Sequence, residues 1–520
     1  MSSMESVSRF DAQTATQDLP GLGIPGPATG GASSSSLTTA RHRDSPHTKS
    51  GGLPPAATLP TTLTDRGNAR LFAERYRNEF RHVEGLGWFF WDGYRWNRTN
   101  GEKAALWAAG EMAEDLATTD RRGIFNDREL ARHKQRTLST AGIRALLTQA
   151  KASPDLSIDP DVLDGDPYTL CTPAGVVDLR TGLLRSADPG RDFHSRATSV
   201  APQPMNTPRW HRFLRDTFGD DDGGREMIDF LHLLLGHSIT GDIGAQVLPF
   251  LHGEGKNGKS ALMDVTLQVL GDYADAAPPG FLMDRGSFSE HSTELTELHG
   301  RRLVVCSELA PSDRFDEARV RLLTGGDRIK ARRMRQDYIS FSPTHHLWLL
   351  GNHRPEVTVG GFAFWRRIRM VPFTRTVPAE RRIDNLAFEL VRDEGPGILQ
   401  WLIEGAKKYL ATRDPLDGPT QVRLATTAYA TTEDHIGRFL EECCILDIGN
   451  SSGLRVDQTV LFDRYQRWCR AEEDVRPATP RAFATRVRAE LGLTSPSGMV
   501  KSNGRKYYPW LALLKPDEVP

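Results

Sequence analysis

The sequence predicts an α/β protein whose core is built around a phosphate-binding loop. Residues 253–260 fit the pattern G-x-x-x-x-G-K-S, with a short apolar run before them and an apolar-periodic segment, 261–270, after them. Two further apolar strands, 302–306 and 346–350, end in polar residues, as expected where parallel strands hold a ligand at their carboxyl ends. Together these observations favour a P-loop ATPase core over a glycine-rich turn that binds nothing.

The loop motif predicts which residues contact a nucleotide. Glycines let backbone N–H groups close around phosphates, and the N-terminus of the following helix adds a positive end. Lys259 is predicted to reach the β- and γ-phosphates and Ser260 to bind Mg²⁺, so ATP and Mg²⁺ are the expected cofactors. The predicted nucleotide-binding residues are Gly253, Glu254, Gly255, Lys256, Asn257, Gly258, Lys259 and Ser260.

Composition and charge limit the compartment and the kinds of partner that are expected for this protein. The 520 residues have a formal net charge of -1, so any contact with nucleic acid must come from a local basic patch. The five cysteines show no C-x-x-C spacing, which predicts a reduced intracellular protein without structural zinc. No apolar run approaches the roughly 20 residues that span a bilayer, and no signal pattern opens the chain. A cytoplasmic protein is therefore expected, with no membrane partner.

The part before the loop is predicted to contain two regions. Residues 1–60 are rich in Ser, Thr, Gly and Pro and are expected to form a disordered tail. Residues 61–204 are predicted to form an α+β domain with a hairpin over 88–96 that turns at Asp92-Gly93. Its aromatic residues are interpreted as core pairs between strands rather than as a base-stacking surface. Helices are predicted at 68–76, 103–117, 126–136 and 140–151, and a strand and turn at 176–182.

The predicted ATPase domain spans residues 205–405 and carries the candidate catalytic residues. Glu308, which follows one apolar strand, is predicted to orient the attacking water or to hold Mg²⁺ together with Ser260. Asn352, at the tip of another strand, is predicted to sense the γ-phosphate. The alternative is that each is an ordinary polar residue at a strand end. Helices over 209–218 and 225–235 are expected to lead into the loop.

Two basic stretches stand out in this nearly neutral chain. Lys330, Arg332 and Arg333 are predicted to lie on a hairpin arm that tracks a nucleic-acid backbone, the alternative being a solvated surface hairpin. Arg366 and Arg367 precede an apolar strand. An arginine supplied to the γ-phosphate of a neighbouring subunit contributes roughly 10³–10⁵ in rate, whereas the competing interpretation is a local ion pair.

The C-terminal part is predicted to consist of a linker, residues 406–434, and a winged-helix-like domain, residues 435–520. Helices are expected near 436–447, 457–473 and 480–491, followed by a basic turn at 500–506 and a strand at 507–511. Such a basic wing can contact DNA phosphates, although surface charges of this kind are often only solvated.

The order of these parts resembles the superfamily 3 helicases, in particular the helicase module of phage and plasmid primases of the poxvirus and satellite-phage type. The resemblance covers roughly residues 63–405. It is carried by residues 253–260, Glu308, residues 323–327 with the basic arm, residues 351–355, residues 365–369 and, before the loop, residues 163–182.

The resemblance implies an AAA+-like ATPase that assembles as a hexameric ring and moves along single-stranded DNA, typically 3′ to 5′. By position, Glu308 corresponds to the Walker B acid and Asn352 to sensor 1, and Lys330 and Arg332 belong to the DNA-tracking hairpin. Arg367 is the first choice and Arg366 the second for an arginine finger acting in trans. Ser307 stands where many members carry a first acid, which weakens the expected Mg²⁺-side carboxylate.

The expected function is therefore a DNA helicase of phage or plasmid replication, encoded by a phage, prophage or plasmid in a bacterial host. Its expected partners are single-stranded DNA, replication forks, further copies of itself and a separate primase or initiator, since no priming domain is recognised in this sequence. One alternative is a P-loop ATPase that remodels protein or packages DNA without unwinding it. Another is a DNA-binding initiator with a vestigial ATP site.

Overall fold

The computed structural model describes residues 59–286, 292–307, 309–332, 338–358, 360–378, 380, 382–448, 453–472, 475–493, 498–502 and 504–514. The predicted tail, residues 1–60, lies almost entirely outside these ranges. Glu308 and Arg333, two of the predicted site residues, also lie outside them.

The N-terminal region packs helices against a small sheet. The helices are α1 (Asp65–Tyr76), α2 (Gly101–Glu114), α3 (Asp127–Thr137) and α4 (Thr140–Ala150). The strands are β1 (Phe80–Val83), β2 (Gly87–Trp91), β3 (Trp96–Asn97) and β4 (Ser157–Ile158), in the order β3-β2-β1-β4. The predicted helices and the hairpin turning at Asp92-Gly93 are confirmed. Trp88, Phe89 and Trp96 are at most 2% exposed, so these rings form the core and not a base-stacking surface.

A second small sheet joins this region to the rest of the molecule. It consists of β5 (Thr169–Thr172), β6 (Gly175–Asp178) and β7 (Leu183–Arg185), all antiparallel. The predicted turn after β6 is present, because the Asp178 carboxylate accepts hydrogen bonds from the backbone N–H groups of Arg180 and Thr181. Leu170 and Val177 share a hydrophobic core with Leu231 and Leu234 of the following region. The boundary drawn at residue 204 stays a prediction.

The centre of the molecule is a parallel sheet with five strands in the described part of the chain. These are β8 (Leu248–His252), β9 (Ala274–Ala276), β10 (Leu303–Cys306), β13 (His346–Gly351) and β14 (Ile368–Pro372), in the order β14-β8-β13-β10-β9. All neighbouring pairs are parallel. The predicted mixed α/β class is thereby confirmed. Between β10 and β13 lies an antiparallel hairpin formed by β11 (Ile329–Arg332) and β12 (Tyr338–Phe341).

Both faces of the central sheet are covered, as is usual for parallel sheets. Helices contributing to the two sides are α5 (Pro208–Phe218), α6 (Asp222–Ile239), α7 (Lys259–Leu270), α8 (Ser292–Thr296), α9 (Glu317–Leu323), α10 (Phe362–Trp365) and α11 (Leu386–Thr412). Successive residues of a strand point to opposite faces. Trp348 and Leu350 accordingly pack with α5, α6, α7 and α11, whereas Leu347 and Leu349 pack with α9, α10 and the hairpin. Burial on both faces explains why the strands read as continuous apolar runs.

The predicted linker over 406–434 is wrong, because most of that segment is helical and packed. Helix α11 continues to Thr412, and α12 (Thr420–Glu433) lies along β14. Val422 and Tyr429, seven positions apart on one face of α12, are fully buried. The Thr426 hydroxyl also accepts a hydrogen bond of 3.0 Å from the backbone N–H of Met370 in β14. Within this segment, residues 413–419 and Asp434 lack regular structure.

The C-terminal region has its own hydrophobic core, centred on Phe439, Tyr465 and Phe483. Its helices are α13 (His435–Cys443), α14 (Gln458–Ala471) and α15 (Pro480–Glu490). Its strands are β15 (Cys444–Leu446), β16 (Arg455–Asp457), β17 (Val500–Ser502), β18 (Arg505–Pro509) and β19 (Leu511–Leu513). The first predicted helix ends earlier than expected, because Cys444–Leu446 pairs with Leu511–Leu513 as a strand. Within the described ranges, no helix is long and apolar enough to cross a membrane.

Candidate nucleotide site

The predicted phosphate-binding loop joins β8 to α7 at the carboxyl edge of the central sheet. Gly253 and Gly258 have φ angles of +156° and +90°, which side chains disfavour. A Cβ atom at Gly253 would also collide with the carbonyl oxygen of Phe373. The Asn257 amide donates to that same carbonyl at 3.1 Å, and Val377 N–H donates to the Lys256 carbonyl at 2.9 Å. The segment after β14 therefore braces the loop.

Lys259, the first residue of α7, turns its ammonium into the loop. Nζ donates to the carbonyls of Gly253 (2.6 Å) and Glu254 (3.1 Å) and to Oδ1 of Asn257 (3.0 Å). The residue is only 6% exposed, and burial lowers the pKa of its ammonium. Ser260 is exposed at the start of the helix. The loop thus encloses one positive charge and presents a hydroxyl beside it.

Asn352 lies next to this loop because of the strand register. Gly351 of β13 pairs with His252 of β8, so the residue after each strand leaves the same edge of the sheet side by side. Asn352 is exposed there. Burial, followed by the positive charges of Arg354 and Lys259, lowers the pKa of His252 to about 4. His252 is therefore neutral at pH 7 and adds no positive charge to this edge.

The strand that precedes Glu308 reaches the same edge. Cys306, the last residue of β10, pairs with Leu349 of β13, and Ser307 follows it half-buried. Because Glu308 itself lies outside the described residues, its predicted role and its share in a Mg²⁺ site stay predictions. The parallel strands β8, β10 and β13 nevertheless end together, as the sequence indicated.

A cavity of about 390 Å³, which sequence analysis did not predict, opens beside the loop. Lys256, Gly258 and Ala261 form one wall, and α5 and the segment after β14 form the others. The apolar residues facing it include Phe213, Val377, Pro378, Ile383 and Leu386. These residues lie up to 173 positions apart in the sequence (213 to 386), so no local motif identifies them.

Helix α5 is held beside the cavity by a buried carboxylate. Glu394 of α11 accepts 2.9 Å hydrogen bonds from the backbone N–H groups of both Arg209 and Trp210, at the start of α5. Both N–H groups would otherwise lack partners, since the first turn of a helix leaves its donors unpaired. The position of the cavity wall thus depends on a contact between α5 and α11.

The two predicted finger arginines lie at the opposite edge of the sheet. Ile368, the residue after Arg367, pairs with Leu248 at the amino end of β8, and Leu248 N–H donates to the Arg367 carbonyl at 2.7 Å. A strand of five residues is about 17 Å long. Arg366 and Arg367 are therefore about one strand length from the loop of their own chain. This geometry excludes a direct role at that loop in cis.

Burial distinguishes the two predicted finger arginines. Arg367 is 6% exposed, and its guanidinium donates to Thr324 Oγ1 (2.9 Å), to Gln246 Oε1 (3.2 Å) and to the Ala363 carbonyl. Arg366 is exposed, and its guanidinium donates to the same Gln246 oxygen. Arg366 is thus the more accessible of the two side chains, and a finger role for either arginine stays a prediction. Adjacent positions in the sequence gave no sign of this difference.

The hairpin β11–β12 presents the predicted DNA-contacting residues on one face. Lys330 and Arg332 are exposed and alternate with buried Ile329 and Ala331. The Arg332 guanidinium lies 4.9 Å from the ring centroid of Tyr338, which is itself exposed. The hairpin and its outward cations are present as predicted, whereas their contact with DNA stays a prediction.

The base of the hairpin is fixed by one carboxylate of the N-terminal region. Asp161 accepts an ion-paired hydrogen bond from Arg328, which precedes β11, and a 3.3 Å hydrogen bond from the backbone N–H of Ser342, which follows β12. Val83 and Leu86 of the same region pack in one core with Ile339 and Phe341. Both legs of the hairpin are therefore anchored to the N-terminal region.

Comparison with known families identifies two parts of the chain. Residues 69–219 match a family described as D5 N terminal like, and residues 251–367 match a family of unknown function, DUF5906. A putative helicase L207/L206 of Acanthamoeba polyphaga mimivirus is 25% identical over 329 residues, covering 59% of this chain and 34% of the relative. A putative helicase 184R of Invertebrate iridescent virus 6 is 25% identical over 319 residues, covering 54% and 32%.

The chain spans about a third of the length of these relatives. Among solved structures, the apo form of the NrS-1 C terminal region matches with a TM-score of 0.40 and 10% identity, covering 71% of this chain and 89% of that one. The D5 N terminal like match over residues 69–219 and the similarity to viral putative helicases support a relationship to the primase-helicases of phages and viruses.

Proposed function

We propose that this chain is an ATP-dependent DNA helicase of phage or plasmid replication, with an AAA+-like P-loop core. The observation that carries the proposal is the enclosure of the Lys259 ammonium by its own loop, with Asn352 beside it on the next strand. A buried ammonium among backbone groups at a helix N-terminus is suited to a triphosphate. The 25% identity to viral putative helicases supports the same function.

The cavity beside the loop is proposed to hold the nucleoside. Its volume of about 390 Å³ falls in the range of small-molecule sites, and its apolar residues suit a flat purine base. Phe213 and Ile383, which line the cavity, would contact the base of ATP, and the loop would hold its phosphates. Ser260 and Glu308 would hold Mg²⁺, which when bound neutralises charge on the β- and γ-phosphates.

Contact with DNA is assigned to the hairpin, and turnover to an assembly of several copies. Lys330 and Arg332 extend from one face, where they suit the phosphates of single-stranded DNA. Because the arginines are a strand length from their own loop, Arg366 is proposed to act on the loop of a neighbouring subunit, in a hexameric ring moving 3′ to 5′ in the bacterial cytoplasm. A separate primase or initiator is a further proposed partner.

The C-terminal region is proposed to act as a winged-helix-like contact with the fork. Three helices, α13 to α15, precede the hairpin β17–β18, on which Lys501, Arg505 and Lys506 are exposed. Those cations suit the phosphate backbone of duplex DNA and carry no sequence information by themselves.

The first experiment is steady-state ATP hydrolysis with and without single-stranded DNA at low salt. Wild-type protein should hydrolyse ATP and be stimulated by DNA, whereas Lys259→Ala should lose at least about a hundredfold in turnover. Lys407→Ala, which alters an exposed lysine of α11, is the matched control and should behave as wild type. Unwinding assays of both polarities follow.

The outcome separates the competing functions. Normal turnover by Lys259→Ala would refute the phosphate-loop assignment. Hydrolysis indifferent to DNA would favour an ATPase that remodels protein, and stimulation without unwinding would favour DNA packaging. A wild-type protein that binds DNA without hydrolysing ATP would favour an initiator, with Ser307 as the first residue to examine.

A further inference from the structure

Arg367 contacts three separate segments of the chain. Its Nε donates to the hydroxyl of Thr324 at 2.9 Å, one terminal nitrogen donates to the amide oxygen of Gln246 at 3.2 Å, and the other donates to the Ala363 carbonyl. All three acceptors are neutral, although the side chain is only 6% exposed. A buried cation held only by neutral groups is costly, because no opposite charge offsets its desolvation.

Gln246 links this buried cation to the surface arginine. Its single Oε1 atom accepts hydrogen bonds from both Arg366 and Arg367. Gln246 itself is held just before β8 with a φ angle of +53°. Arg366 and Arg367 therefore share one acceptor. A movement of Arg366 away from Gln246 would strengthen the hydrogen bond between that oxygen and Arg367.

Thr324 lies at the other end of this hydrogen-bonded series. It follows the last residue of α9 and comes five positions before the hairpin strand β11 begins. Its hydroxyl donates to the Val320 carbonyl at 2.6 Å and accepts from Arg367, which fixes its orientation in a site that is 6% exposed. Arg367 is thus bonded directly to the segment from which the hairpin extends.

We propose that Arg367 is a positioning residue that transmits the state of Arg366 to the base of the hairpin, through Gln246 on one side and Thr324 on the other. This inference rests on the proposed function, in which Arg366 reaches the nucleotide of a neighbouring subunit. When Arg366 leaves Gln246 for that nucleotide, the shared oxygen is left to Arg367 alone. The guanidinium then shifts towards Gln246 and loosens its bond to Thr324, which lets the segment between α9 and the hairpin move while Asp161 still holds the hairpin base.

The consequence is a coupling between nucleotide turnover and DNA that depends on one hydroxyl. Coupling free energies between sites typically correspond to factors of 5 to 150. Removing the Thr324 hydroxyl should therefore lower the stimulation of ATP hydrolysis by single-stranded DNA about tenfold. The rate without DNA should change less than about twofold, because Thr324 contacts neither the loop nor the cavity.

The test compares Thr324→Val, Thr324→Ser and Thr344→Val in the full chain. Valine keeps the shape of threonine but removes the acceptor, whereas serine keeps the hydroxyl and should restore the stimulation. Thr344 is the matched control, since it is also buried and its hydroxyl donates to one backbone carbonyl, that of Arg301, at 2.9 Å. Thermal melting of each variant reports whether the fold is kept.

A double-mutant cycle makes the test specific to this hydrogen bond. If the bond between Arg367 and Thr324 carries the coupling, Arg367→Gln combined with Thr324→Val should lower DNA stimulation no further than the more severe single change. Full stimulation in Thr324→Val would overturn the inference while leaving the proposed function standing. Three other results would also overturn it: a loss of stimulation that Thr324→Ser does not restore, an equal loss in Thr344→Val, or additive effects of Arg367→Gln and Thr324→Val in the cycle.

Failure of the proposed function has a different signature. In that case the wild-type protein itself would show no DNA-stimulated hydrolysis, and the inference would fall with it. Stimulation that is present in wild type, abolished in Thr324→Val and restored in Thr324→Ser is the result expected.

Discussion

The two edges of the central sheet hold their cations in different ways. At the carboxyl edge, Lys259 is bonded to acceptors two to six positions away in the sequence. At the amino edge, Arg367 is bonded to acceptors 43 and 121 positions away, in addition to the nearby Ala363 carbonyl. The first arrangement is a local motif that forms wherever its loop forms. The second exists only after distant segments have packed, which makes it sensitive to movements of those segments.

The largest effect is expected from removing Arg366, the exposed arginine of the amino edge. Arg366→Ala should bind ATP normally but lose roughly 10³–10⁵ in turnover, because a cation that stabilises the transition state is missing. Nucleotide binding and hydrolysis should be measured separately. Arg128→Ala, at an exposed position of α3, is the matched control and should hydrolyse ATP at the wild-type rate.

Mixing two inactive variants tests whether the amino edge serves another copy. In an equal mixture of Arg366→Ala and Lys259→Ala proteins, about one quarter of head-to-tail interfaces pair an intact loop with an intact arginine. We therefore expect hydrolysis to return to about a quarter of the wild-type rate. A mixture as inactive as its components would contradict action in trans.

At the carboxyl edge, replacing Lys259 alone is expected to lower turnover by less than the loss of Arg366 does. Lys259→Ala should reduce turnover about 10²–10³-fold, the usual cost of removing one preorganised electrostatic contact to a reacting group. The measurement is single-turnover hydrolysis at saturating ATP, which removes the effect on binding. A defect confined to ATP affinity would mean that Lys259 binds the ground state as strongly as the transition state.

The hairpin offers a test whose readout is salt dependence. Replacing Lys330 and Arg332 together by alanine should reduce the slope of log K against log salt for single-stranded DNA by about 1.4, which is about 0.7 for each phosphate that is no longer neutralised. Equilibrium binding at low and at physiological salt measures the slope. Lys407→Ala with Arg128→Ala serves as the charge-matched control. An unchanged slope would mean that Lys330 and Arg332 are solvated and do not contact DNA phosphates.

The smallest effect concerns the buried histidines near the amino edge. His237 of α6 lies with its ring centroid 4.2 Å from that of His346, the first residue of β13, and burial, together with the charge of Arg413, lowers the pKa of His237 to about 3. As the pH falls, the His237 imidazole is protonated in the unfolded chain at a higher pH than in the folded protein. Its contribution to stability is therefore complete above about pH 6.5 and declines as the pH falls from about 6.5 towards 3.

His237→Phe should therefore reduce the decline in stability on acidification. Between pH 7 and pH 5 the free energy of unfolding of the wild type should fall by about 2 kcal/mol more than that of the variant. Denaturant unfolding at both pH values measures the difference. Data at pH 8, where the proton is absent from both states, isolate the change in packing. Parallel pH dependences would contradict a neutral buried His237.

The sequence predicted the features that local patterns determine. The loop, the helix after it, the basic hairpin and the hairpin of aromatic residues all follow from spacing within short segments, and each is present. The prediction of a linker over 406–434 was wrong because turn-forming residues at 414–419 outweighed the helical spacing of Val422 and Tyr429. The difference in burial between Arg366 and Arg367, and the cavity beside the loop, depend on contacts between distant segments, which spacing does not reveal.

The separation of loop and arginines by the length of β14 has a consequence for genetics. Under the proposed arrangement a single copy holds one half of each of two sites, so an open row of copies has one complete site fewer than it has members, and only a closed ring completes them all. A chain carrying both Lys259→Ala and Arg366→Ala would silence the site on either side of it. Such an allele would be dominant, and turnover per chain would rise with protein concentration.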